Sequence, residues 1–242
     1  MAFATDAELD FDTIEETVEA FKKGSFIIVL DSPSRENEGD LIIAAQALTT
    51  DKCAFMIRHT SGYICAPMPA GRAARLGLPA MVTKNQDPNG TPYTISVDAN
   101  DAAVTTGISA ADRALTCRTL AGDDATADRL RRPGHVLPLT ARDGGVRERK
   151  GHTEAAVEFC RLAGRGDTAV IGELVEDGKE VPGVPEYAGA GMMRKEACLR
   201  FARRWGLRCC TIEDLVLYLD RRDGGARVEE KGTTGADGLP TP

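Results

Sequence analysis

Residues 26–45, FIIVLDSPSRENEGDLIIAA, hold two short apolar runs, Phe26–Leu30 and Leu41–Ala45, around a polar connection. Runs of about five apolar residues bounded by turn signals read as strands buried on both faces. Two buried strands thus flank a charged connection, the kind of segment on which sites are mounted. Upstream, Ile14, Val18 and Phe21 keep helical spacing. Asp12 followed by Glu15 resembles a capping box, and Lys22, Lys23 and Gly24 supply the closing charge and the C-cap glycine.

The same alternation continues downstream. Ser109 and Asp112 cap a helix carrying Ala114, Leu115 and Ala121, and Gly151-His152-Thr153 opens a helix that Gly164 ends. Residues 169–175 read as a strand. Cys198, Phe201, Ala202 and Trp205 line one helix face, and Gly206 stops it. LRCCTI is a short strand, and Thr211 with Asp214 starts the final helix. Strands and helices interleave, but several connections are too short for regular parallel crossovers. The expected fold is therefore α+β: a single domain with a mixed sheet and helices on both sides, a three-layer α/β/α arrangement. Residues 1–222 form that domain. Residues 223–242 hold almost no apolar side chains and are expected to be a disordered tail. The Gly/Pro-rich stretch 176–193 reads as an excursion beside the strand at 169–175.

The chain has 242 residues, a net charge of −7 and seven cysteines without a CxxC pair. That balance disfavours a phosphate-backbone binder, so nucleic acid is not an expected partner. No run reaches the roughly 20 apolar residues of a membrane span, and the acidic start lacks a secretory signal, so no membrane partner and a cytoplasmic location are expected. Free thiols fit a reducing compartment.

Three clusters have chemical potential. In Arg35-Glu36-Asn37-Glu38-Gly39-Asp40, an extended backbone would send Glu36, Glu38 and Asp40 to one face. Crowded carboxylates call for a cation, and an oxygen-only set suits Mg²⁺ or Mn²⁺; a solvated acidic loop has the same composition. Gly39 implies a close backbone approach. Arg147-Glu148-Arg149-Lys150-Gly151-His152-Thr153-Glu154 places three cations beside a glycine and a helix start, an anion site suited to phosphate, although a basic surface run is by itself commoner. His135 follows Pro133-Gly134, read as a turn, and the residues after it point inward; taken alone, it reads as a structural histidine bordering the core before it reads as a catalytic one. Cys65 and Thr106 lie in glycine-containing turns.

Taken together, FIIVLDSPSRENEGDLIIAA, RHTSGYICAPM, TTGISAADRALTCR, RPGHVLPL and GHTEAAVEFCRLAG resemble the 3,4-dihydroxy-2-butanone 4-phosphate synthase family of riboflavin biosynthesis, fungal branch. The resemblance covers most of residues 10–220. It implies a monofunctional lyase converting D-ribulose 5-phosphate to L-3,4-dihydroxy-2-butanone 4-phosphate and formate. It also implies two Mg²⁺ ions per site held by Glu36 and His152, with Mn²⁺ a possible substitute and no organic cofactor. Arg35, Glu36, Asp40, Thr106, Arg149, Lys150, Gly151, His152, Thr153 and Glu173 would bind substrate. Glu38, Asp40, His135 and Glu173 would move protons, and Cys65 and Thr106 would sit in loops covering the substrate. Family members are homodimers with sites at the subunit interface, and stretch 176–193 is placed to act as a lid. A metal-dependent sugar-phosphate isomerase or aldolase and a non-catalytic sugar-phosphate sensor are the competing readings.

Overall fold

The computed structural model describes residues 10–231. Seven strands form one mixed sheet in the order β11-β1-β2-β6-β3-β5-β4. These are β1 (Ile27–Leu30), β2 (Gly39–Ala44), β3 (Cys65–Pro69), β4 (Val97–Ala99), β5 (Leu130–Ala141), β6 (Ala169–Glu173) and β11 (Arg208–Thr211). β1 lies antiparallel to β2 and parallel to β11, and β2 lies antiparallel to β6. β3 runs antiparallel to β6 and parallel to β5, and β4 runs antiparallel to β5.

Helices cover both faces. α2 (Thr50–His59), α3 (Ala70–Arg75), α4 (Ala110–Ala121) and α7 (Lys195–Trp205) contribute Met56, Ala73, Leu120 and Phe201 to one core, against Ile28, Leu41 and Ala66. α1 (Ile14–Lys22), α5 (Gly145–Glu148), α6 (His152–Ala163) and α8 (Ile212–Lys231) contribute Phe21, Val146, Phe159 and Leu215 to the other, against Ile27, Ile42 and Ile171. Away from the end where Asp40 and Glu173 sit, strands β1, β2 and β6 are apolar because each face meets a helical layer. Ile27, Ile28, Leu41, Ile42 and Ile43 have no exposed surface, and each such side chain stabilises the fold by about 1.5–3 kcal/mol. The expected three-layer mixed architecture is the observed one.

Several local expectations shift. Thr13, not Asp12, caps α1: its side chain accepts from the Glu16 amide and Glu16 answers, one residue beyond the expected pair. Asp12 instead meets Arg203, Arg208 and the Cys209 amide. Pro133 and Gly134 lie inside β5 and form no turn, and the Arg132–Pro133 peptide is cis. A Cβ on Gly134 would fall 1.9 Å from the Val97 backbone, so only glycine fits where β4 crosses. Residues 176–193 form two small ribbons. β7 (Val175–Glu176) pairs with β10 (Gly191–Met192), and β8 (Lys179–Glu180) pairs with β9 (Tyr187–Ala188). Helix α8 runs on to Lys231, past the boundary expected at 222, and the rest of the expected tail lies outside the described residues.

Candidate active site

One cleft is lined by Arg35, Glu36, Glu38, Asp40, Cys65, Arg149, His152, Thr153 and Glu173, together with Asp87, Thr91, Tyr93, Leu139 and Ile171. The sheet order explains the convergence. β2 pairs with β6 so that Asp40 stands opposite Glu173, and β3 pairs with β6 so that Cys65 stands opposite Ile171. α6 points its first turn at the same place. Gly151 is its N-cap with no side-chain cap, leaving first-turn amides available beside Thr153 and Arg149.

The acidic connection reaches the cleft differently from expectation. Its backbone is not extended: the Arg35 and Asn37 amides both donate to the Ser32 carbonyl, and Asn37 adopts φ 55°. Glu36, Glu38 and Asp40 still line one cavity, because a turn rather than strand alternation aims the first two. Gly39 makes the close approach that was expected, since a Cβ there would meet Cys198 Sγ at 2.6 Å.

His152 is buried. Its Nε2 lies 3.1 Å from the Val29 carbonyl, which can only accept, so Nε2 carries the proton and Nδ1 the lone pair. Nδ1 sits 3.9 Å from Glu36 Oε2 and 3.6 Å from Asp40 Oδ1. Burial pulls the imidazole down to about 4, so the ring is neutral near pH 7. Burial, reinforced by the charges of Glu173, Glu36, Asp31 and Glu38, pushes the Asp40 carboxyl well up. Asp40 Oδ1 is buried without a hydrogen-bond partner. Glu38 is also raised, chiefly by burial. Glu173 accepts from Ser61 Oγ at 2.7 Å.

Cys65 is the first residue of β3 rather than part of a loop, and burial, with Glu173 and Asp40 nearby, pushes its thiol well up. It is a neutral group at the cavity wall. Arg149 pairs with buried Glu154 at 2.7 Å and donates to the Asn89 carbonyl. Asn89 also donates to Glu36 Oε1 at 2.6 Å, and Arg35 pairs with Glu36 Oε2 at 2.6 Å.

Four predicted residues stand apart from the lining. Lys150 points to Glu213 at 2.9 Å on α8. Gly151 is not part of the cleft wall, and a Cβ there would meet Arg149 Nη1 at 2.2 Å and Glu154 Oε2 at 3.0 Å. His135 is half-exposed on β5, with Nδ1 2.8 Å from Asp98 Oδ2 and its amide donating to Asp98 Oδ1, so it does not border the core as expected. Thr106 is exposed in a loop that Asp112 pins through Thr105 and Gly107. Gly107 packs against the His135–Asp98 pair, which leaves room for no side chain. His135 and Thr106 thus form a second group, on the surface.

Oxygen donors beside a neutral imidazole with its lone pair free, and a buried carboxylate oxygen with no partner, fit a hard divalent cation. Among the described residues no three His, Cys, Asp or Glu side chains are grouped to hold a metal ion. Two protein ligands, the rest of the shell being water and substrate oxygen, is a habit of Mg²⁺.

The segment carrying Asp87, Asn89, Thr91 and Tyr93 escaped sequence reading. Its signal was Asp87-Pro88-Asn89-Gly90, a turn in which Asp87 accepts from the Thr91 amide and Gly90 adopts φ 61°.

The family model described as 3,4-dihydroxy-2-butanone 4-phosphate synthase matches residues 15–218. The chain belongs to that family. Among similar 3,4-dihydroxy-2-butanone 4-phosphate synthases, the one from Pyricularia oryzae is 56% identical over 93% of this chain and 95% of its own. The one from Schizosaccharomyces pombe is 48% identical over 87% and 98%. A crystal structure of a 3,4-dihydroxy-2-butanone 4-phosphate synthase in complex with two magnesium ions superposes with a TM-score of 0.87. It is 58% identical and is matched over 88% of this chain and 99% of that one. A cation-free form of such a synthase gives 0.85 at 56% identity.

Proposed function

We propose that this synthase-family chain converts D-ribulose 5-phosphate to L-3,4-dihydroxy-2-butanone 4-phosphate and formate, a step supplying riboflavin biosynthesis. The observation that carries the reading is the convergence of Asp40, Glu173, Glu36 and His152 in one cleft beside the uncapped start of α6.

The reaction begins with loss of a proton next to the ketone, continues with loss of water and a skeletal rearrangement, and ends with carbon four leaving as formate. The water lost is taken up again when formate is released, so substrate and products balance without a redox partner. Arg149, Thr153 and the amides following Gly151 would bind the phosphate, and Arg35 adds charge beside it. That fixes one end of the sugar and presents its other carbons to the carboxylates. Asp40 would take the first proton. Its buried, carboxylate-crowded setting raises its affinity for a proton well above that of an ordinary carboxylate, which strengthens it as a base. Glu173, oriented by Ser61, and Glu38 would serve the later transfers. Glu36 and His152 would hold Mg²⁺, or Mn²⁺ in its place, and the bound ions would contribute Lewis-acid stabilisation of negative charge on substrate oxygens.

His135 and Thr106 belong to this proposal only through a second copy of the chain. They lie together on the surface, outside the cleft of their own chain, so a homodimer with interfacial sites would deliver them to the partner's cleft. Asp98 would hold the His135 ring there.

Incubation with ribulose 5-phosphate and Mg²⁺, followed by a formate assay, tests the reading. One formate per sugar consumed is expected. A different pentose phosphate without formate would make the chain an isomerase, and no turnover would make it a binding module.

A further inference from the structure

We propose that Asp31 is a positioning residue that shapes the acidic loop for metal binding, an inference resting on the metal-binding reading of Glu36. Asp31 ends the β1 side of the loop. Its side chain has no exposed surface and does not line the cleft, so it meets neither substrate nor ion. Both of its carboxylate oxygens are used. Oδ1 accepts from the Glu38 amide at 2.9 Å, and Oδ2 accepts from the Glu36 amide at 3.0 Å and from Arg35 Nη1 at 2.9 Å. Its own amide donates to the Glu38 carbonyl at 3.1 Å.

The loop is thereby folded around one side chain. Glu36 and Glu38 flank Asn37, whose φ of 55° is uncommon outside glycine, and the two amides gripped by Asp31 are those on either side of it. Arg35 reaches from Asp31 Oδ2 to Glu36 Oε2, so the same carboxylate also sets the charge that faces the metal-binding glutamate. Two acceptor oxygens at one position are a requirement only an aspartate meets here. Asparagine, equal in shape, would turn an NH₂ toward one of the two amides or toward Arg35. Outer groups that orient a metal ligand typically govern affinity by 10–100-fold.

The experiment uses Mn²⁺ alone, followed by the loss of its free-ion paramagnetic resonance signal on binding. Asp31→Asn is expected to weaken Mn²⁺ binding by about 10–100-fold while the far-ultraviolet circular dichroism is kept. In the wild type, hydrogen exchange at the Glu36 and Glu38 amides is expected to be slow without metal. Unchanged Mn²⁺ affinity in a folded Asp31→Asn, or wild-type amides exchanging at open-loop rates, overturns the inference. The second measurement stands even where the variant does not fold. Wild-type protein that binds no Mn²⁺, and is indistinguishable from Glu36→Gln, overturns the metal reading itself and this inference with it. Wild-type binding that Glu36→Gln abolishes and Asp31→Asn does not overturns this inference alone.

Discussion

Asp40 is a carboxyl that folding leaves short of partners: buried, opposite Glu173 across two strands, with one oxygen unbonded. Asp40→Asn keeps the shape and removes the proton acceptor. Exchange of the substrate's acidic proton with solvent, followed by NMR in deuterium oxide, is expected to slow by about 10²–10⁴-fold, with Tm unchanged or raised. Near-normal exchange would assign the first proton to another group. Asp12 shows the opposite balance. Burial alone would raise its carboxyl, but the Cys209 amide, Arg208 and Arg203 together hold it below the usual carboxylate range. Its contribution is therefore complete above the unfolded value near ~3.9 and is lost as pH falls through the lower folded value. Asp12→Asn is expected to cost about 2 kcal/mol at neutral pH by urea unfolding, the gap to wild type closing as the solution becomes more acid. Such residues are only half legible. The RENEGD carboxylates and His152 announce themselves by type, whereas the partner of His135, Asp98, lies 37 positions upstream and is found only by folding.

At the level of elements, caps and apolar runs were readable because their causes are local. Ser109 does cap α4, Thr211 does accept from the Asp214 amide, and Gly164 and Gly206 end α6 and α7 at φ 62° and 64°. The start of α1 was misread by one residue because Asp12 and Thr13 are both good caps, and the choice is made by distant arginines that claim Asp12. Thr13→Ala removes the two bonds its hydroxyl makes with Glu16, to the amide and to the carboxylate, and is expected to lower stability by about 1 kcal/mol, measured as a shift in the urea midpoint at unchanged slope. A variant as stable as wild type would mean that Asp12 or water takes over the cap. The acidic loop was misread as extended because nothing in its local pattern shows that Asp31 folds it back, and segment 79–95 was unread because it has no periodicity.

Over the whole molecule, the cleft and the His135–Thr106 group are two halves of one proposed site. An equimolar mixture of Asp40→Asn and His135→Ala chains, unfolded and refolded together, puts one intact site into each mixed dimer. About a quarter of wild-type formate release is expected from two individually inactive parents, by the statistics of two-fold pairing. A dead mixture would mean that each chain completes its own site. The two faces of the sheet also divide the sulfur of the chain. Cys53, Cys117, Cys198 and Cys209 lie in one core, Cys65, Cys160 and Cys210 in the other, and all seven are buried as free thiols. Burial holds Cys160 and Cys198 up at about 12, so neither offers a reactive anion at neutral pH. Apart from Cys65 at the cleft wall, alkylating reagents therefore meet inert sulfur until a layer lifts, and the order in which the other six positions become modified is a chronicle of which side of the sheet peels away first.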